Sequence, residues 1–282
     1  MKVHRFEDAN QFYARVKDYL LSQEALYNLL LGMCHALIHN PERFDQELYL
    51  ATVEVDGNIL AVAMRTPPRN LVLSQIHDLK AVEALTQDLH ISTKSLPGVI
   101  APINEAQAFA LAWHSLTNQS YELELALRTF QLQKVNHLSQ AISQAKGYLR
   151  QATETDRELL VNWYTAFSLE ALGSVELDAE RWVERVLQQG SVYLWQDEFP
   201  VSIACRGSLT PNGVRVGMVY TPPEYRRQGY ASACVAALSQ TLLNQGHRFC
   251  FLFTDLANPT ANHIYQEIGY QSVGDWHQYS FV

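Results

Sequence analysis

The sequence predicts an α/β protein with a mixed α+β sheet, built as two consecutive units of similar plan. Three observations predict it. Apolar residues recur at helical spacing near the start of each half. Two strong turn signals, Asp56-Gly57 and Asn212-Gly213, adjoin runs rich in β-formers. Both halves can also be read in one order (helix, helix, hairpin, strand, helix, strand, helix, strand), which points to an internal duplication. A chain of 282 residues that is 48% hydrophobic can build two cores of ordinary size.

In the first half, Phe12, Val16 and Leu20, then Leu26, Leu29 and Leu30, mark helical segments within 9–38, closed by Asn40-Pro41. Residues 49–55 and 59–64 form a hairpin over Asp56-Gly57. A strand at 71–73, a helix near 81–89, a strand at 98–101 and a helix at 105–116 follow, and the alternation of 121–132 predicts a final strand. The polar stretch 133–151, with Lys146-Gly147, reads as a linker with helical content, so the units are 1–145 and 146–282. In the second half, 155–172 is helical with Thr155 or Asp156 as cap, and 179–188 is a helix ended by Gly190. Residues 191–195 and 201–206 form a hairpin over 197–200, and Asn212-Gly213 leads into a strand at 214–220. A helix at 230–243, a strand at 249–254, a helix at 260–268 and a strand at 276–281 complete the unit.

Charge and cysteine usage exclude several classes. The formal net charge of -8 is shared evenly, 11 basic against 15 acidic residues in 1–145 and 10 against 14 in 146–282. Neither half is basic, so no nucleic acid or anionic membrane is expected as a partner. Cys34, Cys205, Cys234 and Cys250 sit in apolar runs without Cys-x-x-Cys spacing, which predicts buried thiols in a reducing compartment. The start, Met1-Lys2-Val3-His4-Arg5, carries charge where a secretory leader needs apolar residues, and the longest apolar run, around 29–38, is too short to span a bilayer. A cytoplasmic protein, monomer or homodimer, is expected. His35 and His39 stand four apart on a helix, but no Glu follows His35 and no third ligand is identifiable, so no metal is expected.

The chemistry is concentrated between Val214 and Leu243. The β-rich run 214–220 meets Thr221-Pro222-Pro223, which cannot extend a ladder. Then Arg226-Arg227-Gln228-Gly229-Tyr230-Ala231 runs into an amphipathic helix whose apolar positions are Ala231, Val235, Leu238 and Leu242. A strand, a glycine loop and a helix start make an anion site, because unpaired N–H groups converge there and the helix dipole favours negative charge. Gly229 allows close backbone approach, and the arginines add positive charge. The ligand should carry phosphate or pyrophosphate. Neither Gly-x-x-x-x-Gly-Lys-Ser/Thr nor Gly-x-Gly-x-x-Gly occurs, which argues against P-loop and Rossmann dinucleotide sites.

This segment resembles the Arg/Gln-x-x-Gly-x-Gly/Ala pyrophosphate loop of the GNAT superfamily of N-acetyltransferases. Downstream, Asn258-Pro259-Thr260-Ala261, Ile264-Tyr265 and Ile268-Gly269-Tyr270 resemble the family's Asn-x-x-Ala-x-x-Leu-Tyr-x-x-Leu-Gly-Phe segment, and Leu149 to Asp156 is similar to its first strand and helix start. The resemblance covers about 135 residues. It implies a GNAT-like acetyltransferase fold, with two tandem GNAT-like domains, and acetyl-CoA as co-substrate. It implies that N–H groups of Arg227, Gln228, Gly229, Tyr230 and Ala231 hold the CoA pyrophosphate beside Arg226. Met218, Val219 and Tyr220 would pair with the pantetheine arm and offer an N–H to the thioester oxygen, and Asn258 would hydrogen-bond the pantetheine. Tyr265 would be the catalytic proton donor to the leaving thiolate, either with a lowered pKa or by hydrogen bonding alone.

The implied reaction is direct attack of a primary amine, small or on a peptide, on the thioester. Glu170, Glu176 and Asp255 are the candidate bases, but 214–220 lacks the carboxylate that many family members carry there. Asn258 also suits a helix cap, Tyr265 a core aromatic, and Trp163, Tyr164 and Phe167 either an acceptor pocket or plain core. In the first half the loop position reads Ile76-His77-Asp78-Leu79-Lys80-Ala81, with no glycine and no arginine pair. A GNAT-like fold there would have lost the phosphate cradle, and would serve as a wall of the acceptor site or for dimerisation. The alternative is a non-catalytic acyl-CoA-binding sensor.

Overall fold

The computed structural model describes residues 1–44, 46–93, 95–136, 145–172 and 178–282. The first half contributes β1 (Lys2–Arg5), α1 (Ala9–Leu21), α2 (Asn28–His39), β2 (Tyr49–Val55), β3 (Asn58–Arg65), β4 (Leu71–Leu73), α3 (Lys80–Ser92), β5 (Gly98–Pro102), α4 (Ile103–Thr117) and β6 (Tyr121–Leu132). The second contributes β7 (Tyr148–Gln151), α5 (Arg157–Leu172), α6 (Ala179–Gln188), β8 (Val192–Asp197), β9 (Phe199–Leu209), β10 (Gly213–Tyr220), α7 (Tyr230–Asn244), β11 (Phe249–Asp255), α8 (Pro259–Ile268) and β12 (Gln271–Phe281).

Local chemistry sets most boundaries. Asp56 and Gly57 both have positive φ, as a tight hairpin turn requires, and Gly190 takes the left-handed conformation just beyond α6. Elsewhere the sequence expectation is corrected. Lys2–Arg5 is a strand, although its residues show no apolar alternation; it pairs along β2. The helical run opens earlier than Thr155, with a 3-10 turn at Glu154–Asp156 ahead of α5. Thr153 and Asp156 form a capping box around a 3-10 turn, and Arg150 clamps Asp156 through two hydrogen bonds of 2.7 and 2.8 Å. The β8–β9 turn is tighter than expected, with Glu198 at φ 56 and Pro200 inside the strand opposite Gln196. The end of the stretch expected as linker is β7, and 137–144 lie outside the described residues.

The twelve strands form one mixed sheet in the order β1-β2-β3-β4-β5-β12-β6-β11-β10-β9-β8-β7. Among the described residues only β4–β5 and β10–β11 pair in parallel. The centre is exchanged between halves: β12 lies between β5 and β6, and β6 lies between β11 and β12. Each half therefore receives its penultimate strand position from the other. Arg128 on β6 and Asp275 on β12 lock the central pair with two hydrogen bonds of 2.8 Å.

The cores follow the same exchange. Phe130 and Leu132 of β6 lie in the core under α7 with Leu238, Leu242 and Tyr265. Trp276 of β12, fully buried, lies in the core beneath α1 and α2 with Phe12, Leu20, Tyr27 and Met64. A second tie is polar. Glu24, after α1, accepts hydrogen bonds from the Thr210 hydroxyl and from both the backbone and side-chain nitrogens of Asn212. Trp276→Ala is expected to cost roughly 3–5 kcal/mol and to move one cooperative unfolding transition, followed in urea by circular dichroism and tryptophan fluorescence. Two transitions, with only one of them moved, would mean that the halves fold independently.

Candidate functional site

The site begins where two parallel strands separate. β10 pairs β11 only over Gly213–Arg215 against Phe249–Phe251. Beyond that point β11 continues along β6 as far as Asp255 opposite Leu127. β10 follows β9, with an irregularity between Gly217 and Tyr220 and with Met218 at φ 47. An irregular strand whose residues from Val216 to Tyr220 have no partner in β11 offers its backbone to a ligand. Sequence reasoning placed Met218, Val219 and Tyr220 at this edge but did not foresee the bulge. Gly217, in the middle of a β-branched run, was its signal.

The loop closes one end of the opening. Arg227 at φ 63 and Gly229 at φ 80 bend the chain into α7. Among the described residues, the N–H groups of Arg227, Gln228, Gly229, Tyr230 and Ala231 make no internal hydrogen bond; the first helical bond here is from Ala233 N to Gly229 O. Five unengaged donors at the positive end of a helix suit a pyrophosphate. The Tyr230 side chain is turned away, its hydroxyl donating to Asp197 at 2.6 Å. Arg227 is exposed and in no ion pair among the described residues. Arg226 is engaged: it donates to Thr221 O at 2.8 Å and to Glu170 at 2.6 Å, and it lies over the Tyr220 ring.

At the other end, α8 places Asn258 and Tyr265. Asn258 is the helix cap, its Oδ1 accepting from Ala261 N at 3.0 Å, and its exposed amide NH₂ remains available. Tyr265 is buried against Phe130 and Tyr270, and its hydroxyl has no hydrogen-bond partner among the described residues. Burial pushes its pKa up to about 12, so the lowered value that one reading required is not found.

Of the three candidate bases, Glu170 is paired with Arg226. Asp255 accepts from Ala257 N at 2.8 Å and so closes its own turn. Glu176 lies outside the described residues. Trp163 packs edge-on to Tyr220, and Tyr164 stacks on Trp182, so this set forms core around α5 and α6. Phe167, half-buried, packs against the same core.

On the opposite side of β10 lies a cavity of about 460 Å³. Val214 and Val216 face α7, so alternation turns Arg215 and Gly217 toward this cavity. Its walls are β9, β10 and α6, together with α2 from the first half, which contributes Gly32, His35 and Ala36. Gly32 permits the contact, because a Cβ there would stand 2.7 Å from the Cβ of Ser208. His35 and His39 stack at 4.1 Å, and among the described residues no group of three or more His, Cys, Asp or Glu is placed to hold a metal.

The corresponding place in the first half is filled. After β4, the Tyr19 hydroxyl donates to Gln75 O at 3.0 Å. Asp78 accepts from Lys80 N at 2.9 Å, and Glu105 from Ile76 N at 3.2 Å. Carboxylates of the chain itself stand where a cradle would need an external anion.

Residues 198–281 match the model of the family described as FR47-like protein. Solved structures align along nearly the whole chain. One from Drosophila is 12% identical over 99% of this chain and 98% of its own, with a TM-score of 0.70. A GCN5-related N-acetyltransferase from Sphaerobacter thermophilus is 16% identical over 99% and 94%, with a TM-score of 0.60. A tandem GNAT protein from the clavulanic acid biosynthesis pathway is 11% identical over 99% and 97%, with a TM-score of 0.54. Residues 198–281 are thus similar to FR47-like proteins, and the whole chain shares its fold with GNAT proteins, a tandem one among them. A comparison with curated proteins gave no match. No helix among the described residues is long and apolar enough to cross a membrane.

Proposed function

We propose that this tandem GNAT protein is an acetyl-CoA-dependent N-acetyltransferase acting by direct attack of a primary amine in a ternary complex. In this reading residues 146–282 hold acetyl-CoA, while residues 1–145 complete the sheet and wall the acceptor cavity. The observation that carries it is the set of five unengaged N–H groups from Arg227 to Ala231, beside a bulged strand edge. The pyrophosphate would lie on the loop, with Arg227 as free cation. Met218 to Tyr220 would hold the pantetheine arm and direct an N–H at the thioester oxygen, and Asn258 would donate its amide to the arm.

The amine nitrogen bonds to the thioester carbon, the C–S bond of the adduct breaks, the thiolate leaves, and the extra proton on nitrogen passes to water or to the departing thiolate. With its pKa near 12, Tyr265 would face an uphill transfer to a thiolate of pKa ~8.5, by roughly 5 kcal/mol. It therefore acts as a hydrogen-bond donor to the sulfur rather than by full transfer. A hydrogen bond to a charged group is worth about 1.5–3 kcal/mol. Tyr265→Phe is accordingly expected to lower kcat by on the order of 10- to 100-fold, with acetyl-CoA Kd unchanged. Because the shift is upward, Tyr265 keeps its proton throughout the alkaline range, so kcat/KM should rise to the acceptor's own pKa and show no decline before pH 10. Wild-type kcat in the variant would leave Tyr265 as packing only.

Gly229→Val tests the cradle. A branched residue is strained at φ 80 and its Cβ would intrude on the N–H groups. Calorimetry should find acetyl-CoA binding lost in the folded variant, and release of free CoA thiol with an amine panel should establish turnover in the wild type. Unchanged affinity in the variant would remove the loop assignment. Binding without turnover would favour the sensor reading.

A further inference from the structure

Resting on the acetyltransferase reading, we propose that the acceptor is an amine that itself carries an anionic group, carboxylate or phosphate, held by the arginines of the cavity behind β10. Arg43, Arg185, Arg206 and Arg215 line that cavity, and among the described residues no Asp or Glu does. They come from four separate elements: the 3-10 turn after α2, then α6, β9 and β10. Among the described residues none of the four is in an ion pair, whereas Arg15, Arg128, Arg150, Arg157, Arg181 and Arg226 each have a carboxylate partner. The chain has an excess of acidic residues, with a net charge of -8, yet none of the described ones lines this cavity.

Arg43 acts on Arg185 as a like charge, and Arg69, outside the lining, acts on both Arg185 and Arg215. Burial first, and then Arg43 and Arg69, push the Arg185 guanidinium below its ordinary range. Burial and Arg69 push Arg215 down to about 10. Guanidinium groups with no carboxylate partner among the described residues, three of them half-buried and Arg43 exposed, make a site complementary to an anion, which they bind in bidentate fashion. At about 460 Å³ the cavity suits a small molecule.

The location supplies the link to the reaction. Gly217 and Met218, at the bulge of β10, form the inner wall. An acceptor anchored by its anion at the arginines would present its amine at the strand edge where the thioester is expected. The same positive field disfavours the ammonium form of the acceptor. The amine then enters neutral although 214–220 has no carboxylate to serve as base.

The test uses the full chain at saturating acetyl-CoA, with matched amines: alanine against alaninamide, O-phosphoethanolamine against ethanolamine, and spermidine as a cation. An anionic member should exceed its neutral partner in kcat/KM by on the order of 100-fold, the effect of one or two charge-assisted hydrogen bonds. The pair that responds distinguishes carboxylate from phosphate. Arg185→Gln, Arg215→Gln and the exposed Arg43→Gln, which guards against misfolding of the others, should each raise KM for the anionic amine by about tenfold or more and leave acetyl-CoA Kd unchanged. Preference for neutral or cationic amines would overturn the inference while leaving the acetyltransferase reading intact. Loss of acetyl-CoA affinity in the variants would overturn it too, by assigning the cavity to the cosubstrate. If acetyl-CoA binds and no amine reacts, the acetyltransferase reading fails, and titration of the same anionic amines into the CoA-loaded protein decides the inference. Binding weakened by Arg185→Gln upholds it, and no binding refutes it.

Discussion

The exchange of β6 and β12 is the constraint on which the rest of this molecule depends, because each strand is covered on both edges by strands of the other half. A strand with unpaired edges carries unsatisfied backbone groups and an exposed apolar face. Withdrawing β12 would uncover β5 and β6 and take Trp276 from the core beneath α1 and α2. Withdrawing β6 would uncover β11 and remove Phe130 from beneath Tyr265. The Arg128–Asp275 pair and the bonds of Glu24 to the 210–212 turn then fix the halves in one register. Their energy is secondary to the burial of these aromatic side chains.

From this constraint the asymmetry of the two halves acquires meaning. Both contain a parallel pair, β4–β5 and β10–β11, that stops after a few residues. In the first half the loop that follows is satisfied from within by Asp78, Glu105 and Tyr19. In the second, the donors from Arg227 to Ala231 stay open, and the strand edge before them is bulged. The first half still contributes to the opening in the second. It supplies the strand against which Tyr265 packs and the helix face, around Gly32 and His35, that closes the cavity behind β10.

Much of the fold was legible in the sequence, since helical spacing in α1, α2 and α7 and the Asp56-Gly57 and Asn212-Gly213 turns are local signals. The bend into α7 was legible too, since Gly229 stands just before an amphipathic helix and takes positive φ there. The exchange was not. The alternation of 121–132 gives a strand but no partner, and partner choice is decided by contacts more than a hundred residues distant, such as Phe130 with Leu252. The bulge at Met218 was missed because Gly217 inside a β-rich run is a weak sign of one, and a positive φ on methionine adds none. The arginine cavity was missed because Arg43, Arg185, Arg206 and Arg215 come together only through the sheet and the packing of α2 against β9. The upward pKa of Tyr265 follows from its burial, which no motif encodes.

The most direct test is the stoichiometry of acetyl-CoA binding to the intact chain, by calorimetric titration against an independently measured protein concentration. The open donors of the second half and the self-satisfied loop of the first predict one site per chain, whatever the oligomeric state. Two equivalent sites would contradict the reading of Ile76 to Ala81 as closed, and no binding at all would contradict the assignment of the loop from Arg226 to Ala231.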